Sequence, residues 1–171
     1  MKRVILITGG SRSGKSSYAE QLALSLSDSP VYLATARIWD EEFRERVRRH
    51  QERRGPQWTN LEEEKYLSRH VDLAGRVVVV DCLTLWCTNF FFDSQSDVDA
   101  SLAALKAEFD RFTGQDATFL FVTNEIGMGG TSDNVLQRRF TDLQGWMNQY
   151  VASQADEVLL MVSGIPVKIK G

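Results

Sequence analysis

Residues Gly9-Gly10-Ser11-Arg12-Ser13-Gly14-Lys15-Ser16 fit the pattern G-x-x-x-x-G-K-[ST] and stand between an apolar run, Val4 to Thr8, and a helical pattern carrying Tyr18, Leu22 and Leu26. Without side chains at Gly9 and Gly14 the loop can curl so that successive backbone N–H groups point inward, and the helix N-terminus behind it adds positive partial charge. Such a loop cradles phosphates. Lys15 is placed to neutralise the β and γ oxygens of a nucleotide and Ser16 to ligate Mg²⁺. A glycine-rich turn that binds nothing is the bland alternative, and the complete motif between strand and helix argues against it. The spacing G-x-G-x-x-G is absent, which excludes a dinucleotide fold, and no Asn-Lys-x-Asp occurs to read guanine as regulatory GTPases do.

The rest of the chain supplies the sheet that this loop needs. Val4 to Thr8, Val31 to Ala34, Val77 to Asp81, Thr118 to Thr123 and Glu157 to Val162 are short runs dense in Val, Ile, Leu and Phe. They do not alternate with polar residues, as expected for parallel strands covered on both faces. Between them, Val98, Leu102, Leu105, Phe109 and Phe112, and then Leu136, Phe140, Leu143, Met147 and Val151, recur at helical spacing. Strand–helix alternation predicts an α/β fold, a mostly parallel doubly wound sheet flanked by helices. Val167 to Ile169 reads as a last short antiparallel strand and Asp93 to Asp99 as a polar linker. The length of 171 residues suits one catalytic domain spanning 1–171.

Val77-Val78-Val79-Val80-Asp81 is an apolar strand ending in a carboxylate, the place where a second acid would hold magnesium or its water. Asp40 to Arg54 is densely charged, yet Trp39, Phe43 and Val47 recur every four residues and His50 follows three later, beside that stripe on a helix. Two readings of His50 stand: a packed structural histidine, or a nucleophile whose neutral imidazole attacks phosphorus while neighbouring arginines steady the oxygens. His70, after Glu62-Glu63-Glu64, reads as a surface residue. Asn124 and Glu125 directly follow a parallel strand and precede glycines, which suits a substrate contact or equally a plain connection.

Lys plus Arg number 20 against 23 Asp plus Glu, a net charge of −3, so nothing global points to nucleic acid. No run approaches the ~18–20 apolar residues that span a bilayer. Gly9 cuts the first apolar run short of a secretory core. Cys82 and Cys87 lack zinc-ligand spacing and read as buried free thiols, which with the rest suggests a cytoplasmic protein.

Several segments together carry a resemblance: the phosphate loop, Tyr-Leu-Ala-Thr-Ala from Tyr32, Arg46 to His50 with Arg53-Arg54, Trp58-Thr59, Thr-Asn-Glu-Ile-Gly-Met-Gly from Thr123, and Val-Ser-Gly-Ile-Pro-Val-Lys-Ile-Lys at the end. The chain resembles the bifunctional adenosylcobinamide kinase / adenosylcobinamide-phosphate guanylyltransferase family of cobalamin assembly, from its first strand to its C-terminus. The resemblance implies a P-loop NTPase of RecA-like type. It implies phosphorylation of the aminopropanol hydroxyl of adenosylcobinamide by ATP or GTP, then transfer of GMP from GTP to that phosphate through a histidine-GMP intermediate. Only His50 matches the family's histidine. Nucleotide contacts are implied at Gly9, Gly10, Ser11, Arg12, Ser13, Gly14, Lys15 and Ser16, at Ala34, Thr35 and Ala36, at Gln51, Glu52, Arg53 and Arg54, at Glu62 and at Asp81, with Mg²⁺ at Ser16 and Asp81. A homo-oligomer, a trimer, is implied, with Trp39, Trp86, Phe90, Phe91 and Phe92 as candidate interface or core residues. The chain departs from some relatives in having Arg49 before His50 where they have a second histidine, and Asp81 where they can have Glu. A single-activity small-molecule P-loop kinase is the alternative enzyme, and a nucleotide-dependent switch protein is the alternative from another class.

Overall fold

The computed structural model describes residues 1–171. Six parallel strands, β1 (Arg3–Gly9), β2 (Val31–Ala34), β3 (Thr59–Glu62), β4 (Val77–Asp81), β5 (Thr118–Asn124) and β6 (Glu157–Val162), and one antiparallel strand, β7 (Ile165–Lys170), form a seven-stranded sheet in the order β3-β2-β4-β5-β1-β6-β7. Because the near-continuous apolar strands are covered on both faces, successive residues of one strand serve opposite cores. Val4 and Leu6 of β1 join Val78, Val80, Phe119 and Phe121 beneath α3 (Leu83–Asp93), α4 (Val98–Phe112) and α5 (Val135–Gln154). Ile5 and Ile7 join Val79, Leu120 and Val122 beneath α1 (Lys15–Leu26), where Ala19 and Ala23 let helix and sheet approach closely.

Parallel register places every functional strand end at one edge. Gly9 stands level with Asn124 and Met161, and Asp81 with Ala34 and Val122. Whatever follows β1, β2, β4 and β5 in sequence is therefore gathered at a single rim, the usual ligand crevice of an open parallel sheet.

The helix α2 (Glu41–Arg54) differs from the others. Asp40 caps it, accepting from the Phe43 amide at 2.8 Å, and Glu41, Glu42, Arg53 and Arg54 oppose its dipole at either end. None of its residues is buried as a whole, and only the Arg54 side chain at its end is largely covered. Most of its ion pairs run along its own surface, as between Arg48 and Glu52 at 2.5 Å. Trp39 precedes the helix instead of opening its stripe and lies exposed against the edge of Phe92.

Two elements escape the sequence pattern. The edge strand β3 is polar and mostly exposed, so no apolar run marks it. The helix α3 shows no clean apolar stripe, since it buries polar Asn89 along with Trp86, Phe90 and Phe91 while leaving Leu85 and Phe92 exposed. His70 is half-buried after a short 3₁₀ turn (Leu67–Arg69), 3.7 Å from the Glu63 carboxylate, and is not a simple surface residue. The terminal strand is longer than its three-residue core predicts, and the polar linker contracts because Asp97 caps α4.

Candidate active site

The phosphate loop is held from behind. The turn between β6 and β7 packs on it: the Gly164 amide donates to the Ser13 carbonyl at 2.9 Å, and a Cβ on Gly14 would come within 3.2 Å of the Gly164 Cα. Gly14, at φ 94°, provides the left-handed residue from which α1 starts. Lys15 is buried and its Nζ donates to the Gly10 carbonyl at 2.5 Å, so the ammonium already spans the loop mouth. Burial lowers the Lys15 pKa from its usual value, against the opposing pull of Cys82 and Asp81. Ser11, Arg12, Ser13, Gly14, Lys15, Ser16 and Asn124 line a cavity of about 390 Å³ together with Asp81. The Ser13 hydroxyl itself is buried without a partner.

A second cavity, of about 430 Å³, adjoins the first: Ser16, Ser17 and Asp81 line both. Ala34, Ala36, Val47, His50, Arg53 and Arg54 also line it. The exposed imidazole and the phosphate loop thus open onto adjoining cavities that share one wall. Ser16 Oγ donates to Asp81 Oδ2 at 3.1 Å, which puts together two oxygens of the kind Mg²⁺ takes.

Tyr32 organises the junction. Its hydroxyl donates a short hydrogen bond to the same Asp81 oxygen, and the guanidinium of Arg54 lies 3.5 Å from its ring centroid. Arg54 also donates to Asn60 Oδ1 at 2.8 Å and sits 3.8 Å from Glu20. Only 7% of its side chain is exposed, and its Nε has no partner. The last residue of α2 is therefore the anchor of a helix that is otherwise exposed. Burial raises the pKa of Tyr32, with the Asp81 charge adding to the effect, and burial likewise raises that of Glu20 against the influence of Arg54.

The remaining expected residues divide by position. Thr35 is fully buried, its hydroxyl bridging the Cys82 amide and carbonyl at 2.9 and 2.7 Å, so its side chain clamps β2 to β4 and lines none of these cavities. Gln51 is half-buried and Glu52 pairs with Arg48. Glu62 lines a neighbouring cavity of about 410 Å³ that shares Ala36. Glu125 is occupied by its own turn, accepting from the Gly127 and Met128 amides at 2.8 and 3.1 Å.

Sequence reasoning singled out neither Tyr32, Ser17, Glu20 nor Leu85, which all line the His50 cavity. A signal existed for two of them: Tyr32 puts a hydroxyl into an otherwise apolar strand, and Glu20 stands four residues after Ser16, on the same helix face.

A phosphate loop joining a parallel strand to a helix, with an acidic strand end separated from it by one inserted strand, makes this a P-loop nucleotide-binding protein of RecA-like strand order. Residues 5–169 match the family described as cobinamide kinase / cobinamide phosphate guanyltransferase. The chain is 39% identical over 181 residues to the bifunctional adenosylcobalamin biosynthesis protein CobU of Escherichia coli K12, covering 98% of this chain and 99% of that one. It is 38% identical over 170 residues to the bifunctional adenosylcobalamin biosynthesis protein CobP of Pseudomonas aeruginosa, covering 97% and 96%. The chain belongs to this family and is an enzyme of the bifunctional kinase and guanyltransferase type.

Proposed function

We propose that this enzyme phosphorylates the aminopropanol hydroxyl of adenosylcobinamide with ATP or GTP at the loop Gly9–Ser16, and then moves GMP from GTP through His50 onto the new phosphate. The observation that carries the reading is the shared wall of the two cavities, Ser16, Ser17 and Asp81. Two adjoining cavities with a common wall thereby serve the two reactions. In the first, Lys15 and the loop amides hold the β and γ phosphates while the substrate hydroxyl, giving up its proton, attacks the γ-phosphorus; the bond to the β–γ bridging oxygen breaks and ADP or GDP leaves. In the second, the neutral His50 imidazole forms a bond to the α-phosphorus as pyrophosphate leaves. The substrate phosphate then attacks that phosphorus and the N–P bond breaks, releasing adenosylcobinamide-GDP.

Arg53 and Arg54 both line the cavity with His50 and offer cations for the α-phosphate. Ser16 and Asp81 are the residues that would hold Mg²⁺, whose charge, when bound, offsets that developing on the phosphoryl oxygens. Ala34 and Ala36 line the His50 cavity and Glu62 the neighbouring one, which supports the nucleoside contacts expected of them. The reading takes the whole of 1–171 as one catalytic domain. It also takes the enzyme to be a homotrimer acting in the cytoplasm: the exposed apolar residues Ile165, Val167 and Ile169 of β7 support self-association, and two buried free thiols suit a reducing compartment. No helix is long and apolar enough to cross a membrane.

Incubation with Mg²⁺ and GTP labelled at the α-phosphate tests the second half directly. An acid-labile, base-stable label on the wild type and none on His50→Ala is the expected result. No label on the wild type, with cobinamide still phosphorylated, would reduce the protein to a single-activity kinase.

A further inference from the structure

The two cavities account for nucleotide and phosphate, but the corrin macrocycle is too large to share them and needs a surface of its own. A groove of about 600 Å³ between α3 and the start of α5, lined by Thr88, Phe91, Ser132, Asn134, Leu136 and Phe140 among others, takes no part in the chemistry described above. Its position relative to the rim follows from α3. Thr84 accepts from the Asn124 amide at 3.0 Å, and Asn124 lines the phosphate-loop cavity. Thr88 lies one helical turn further, about 5–6 Å along the axis. Leu85, which lines the His50 cavity and is 40% exposed, precedes Thr88 by three residues on the same face of α3. The groove thus continues both cavities around the rim of the sheet.

Several apolar side chains in and near the groove are exposed. Phe92, Met128, Val135 and Leu136 are each more than half exposed, and Leu85 joins them. The segment after β5 connects the two places: it leaves Asn124 in the phosphate-loop cavity, is tightened by Glu125 on the Gly127 and Met128 amides, and reaches Ser132 and Asn134 in the groove.

We propose that this groove is the corrin subsite: the macrocycle lies on the apolar face formed by Leu85, Leu136 and Phe140, its rim amides meet Thr88, Ser132 and Asn134, and the aminopropanol arm reaches over the rim to the phosphate loop. The inference rests on the cobinamide reading of the active site. It has the chemistry the ligand requires, an apolar floor for the ring and a polar border for amide side arms. It also explains how one bound corrinoid meets both reactions, because the arm end is flexible while the ring stays seated.

The test is Leu136→Glu. Leu136 is 53% exposed in the first turn of α5, where an acidic residue is favoured by the helix dipole, so folding is preserved. The KM for adenosylcobinamide in the kinase step is expected to rise at least ten-fold, while the KM for GTP moves less than two-fold. Trp146→Glu, on the remote cavity between α4 and α5, is the control and leaves both constants unchanged. An unchanged KM for adenosylcobinamide in Leu136→Glu overturns the subsite, as does an equal rise in Trp146→Glu. A Leu136→Glu protein that sediments as a smaller species than the wild type, with its KM for adenosylcobinamide unaltered, overturns it in favour of a contact between copies of the chain. Wild-type protein that phosphorylates no cobinamide would instead sink the functional reading on which the subsite depends.

Discussion

Two adjacent glycines of the phosphate loop should respond oppositely to the same substitution. A Cβ on Gly9 would lie 2.6 Å from Ser13 Oγ and 2.9 Å from the carbonyl oxygen of Met161, its register partner in β6. The serine hydroxyl has no hydrogen-bond partner and can yield, but the Met161 carbonyl belongs to the sheet. Forcing atoms into a packed site costs about 1–3 kcal/mol. A Cβ on Gly10 would meet nothing within 4 Å, and its φ is not positive. Gly10→Ala should therefore stabilise the nucleotide-free protein by roughly 0.4–1 kcal/mol through the unfolded chain. The gap between the two variants is about 3 kcal/mol, or roughly 9 °C in Tm at about 3 °C per kcal/mol for a chain of this length. Scanning calorimetry without nucleotide measures it, so that phosphate binding does not enter. Adding Ser13→Ala to Gly9→Ala should recover part of the loss and no more. Equal Tm values for the two alanine variants would refute the argument that the strand β6, and not the motif alone, dictates the first glycine.

Tyr32→Phe removes the hydroxyl donated to Asp81 but keeps the ring under Arg54, and should cost about 1.5 kcal/mol in urea unfolding, the low end for a bond to a charged group because Ser16 still serves that oxygen. Tyr32→Ala also unseats the guanidinium and should cost about 3–5 kcal/mol; equal losses would show that the ring holds nothing. Hydrogen bonds from Arg37 at 2.9 and 3.0 Å, with Lys65 at 3.1 Å, hold the Asp93 carboxyl at about 2, below its ordinary 3.8. A folded-state value below the unfolded one adds stability above about pH 4 that disappears as pH falls toward 2. Asp93→Asn should accordingly lower the urea midpoint at pH 6 and match the wild type near pH 2; a constant difference across that range would rule the linkage out.

The legible parts of the site are those written in consecutive residues. Gly9 to Ser16 declares a strand, a turn and a helix start within a few positions, and each apolar strand from Val4 to Val162 announces its own burial on both faces. The strand β3 went unseen because an edge strand need not be apolar on either side, and α3 because burying Asn89 while exposing Leu85 and Phe92 leaves no apolar period to read. Thr35 sits inside a nucleotide-contact segment by resemblance, yet its side chain is turned into the sheet by the hydrogen bonds it makes to Cys82.

The amino-acid sequence by itself determined the class of fold, the phosphate loop and the family, since local pattern and near-full-length identity need no third dimension. Only the tertiary structure decided that His50 shares a cavity with Ser16 and Asp81, that Tyr32 ties Asp81 to the end of α2, and that an apolar groove continues the rim beyond Leu85. The reason is strand order. With β5 inserted between β1 and β4, and β2 beyond them, residues tens of positions apart meet at one sheet edge, and no spacing along the chain encodes which strands lie side by side.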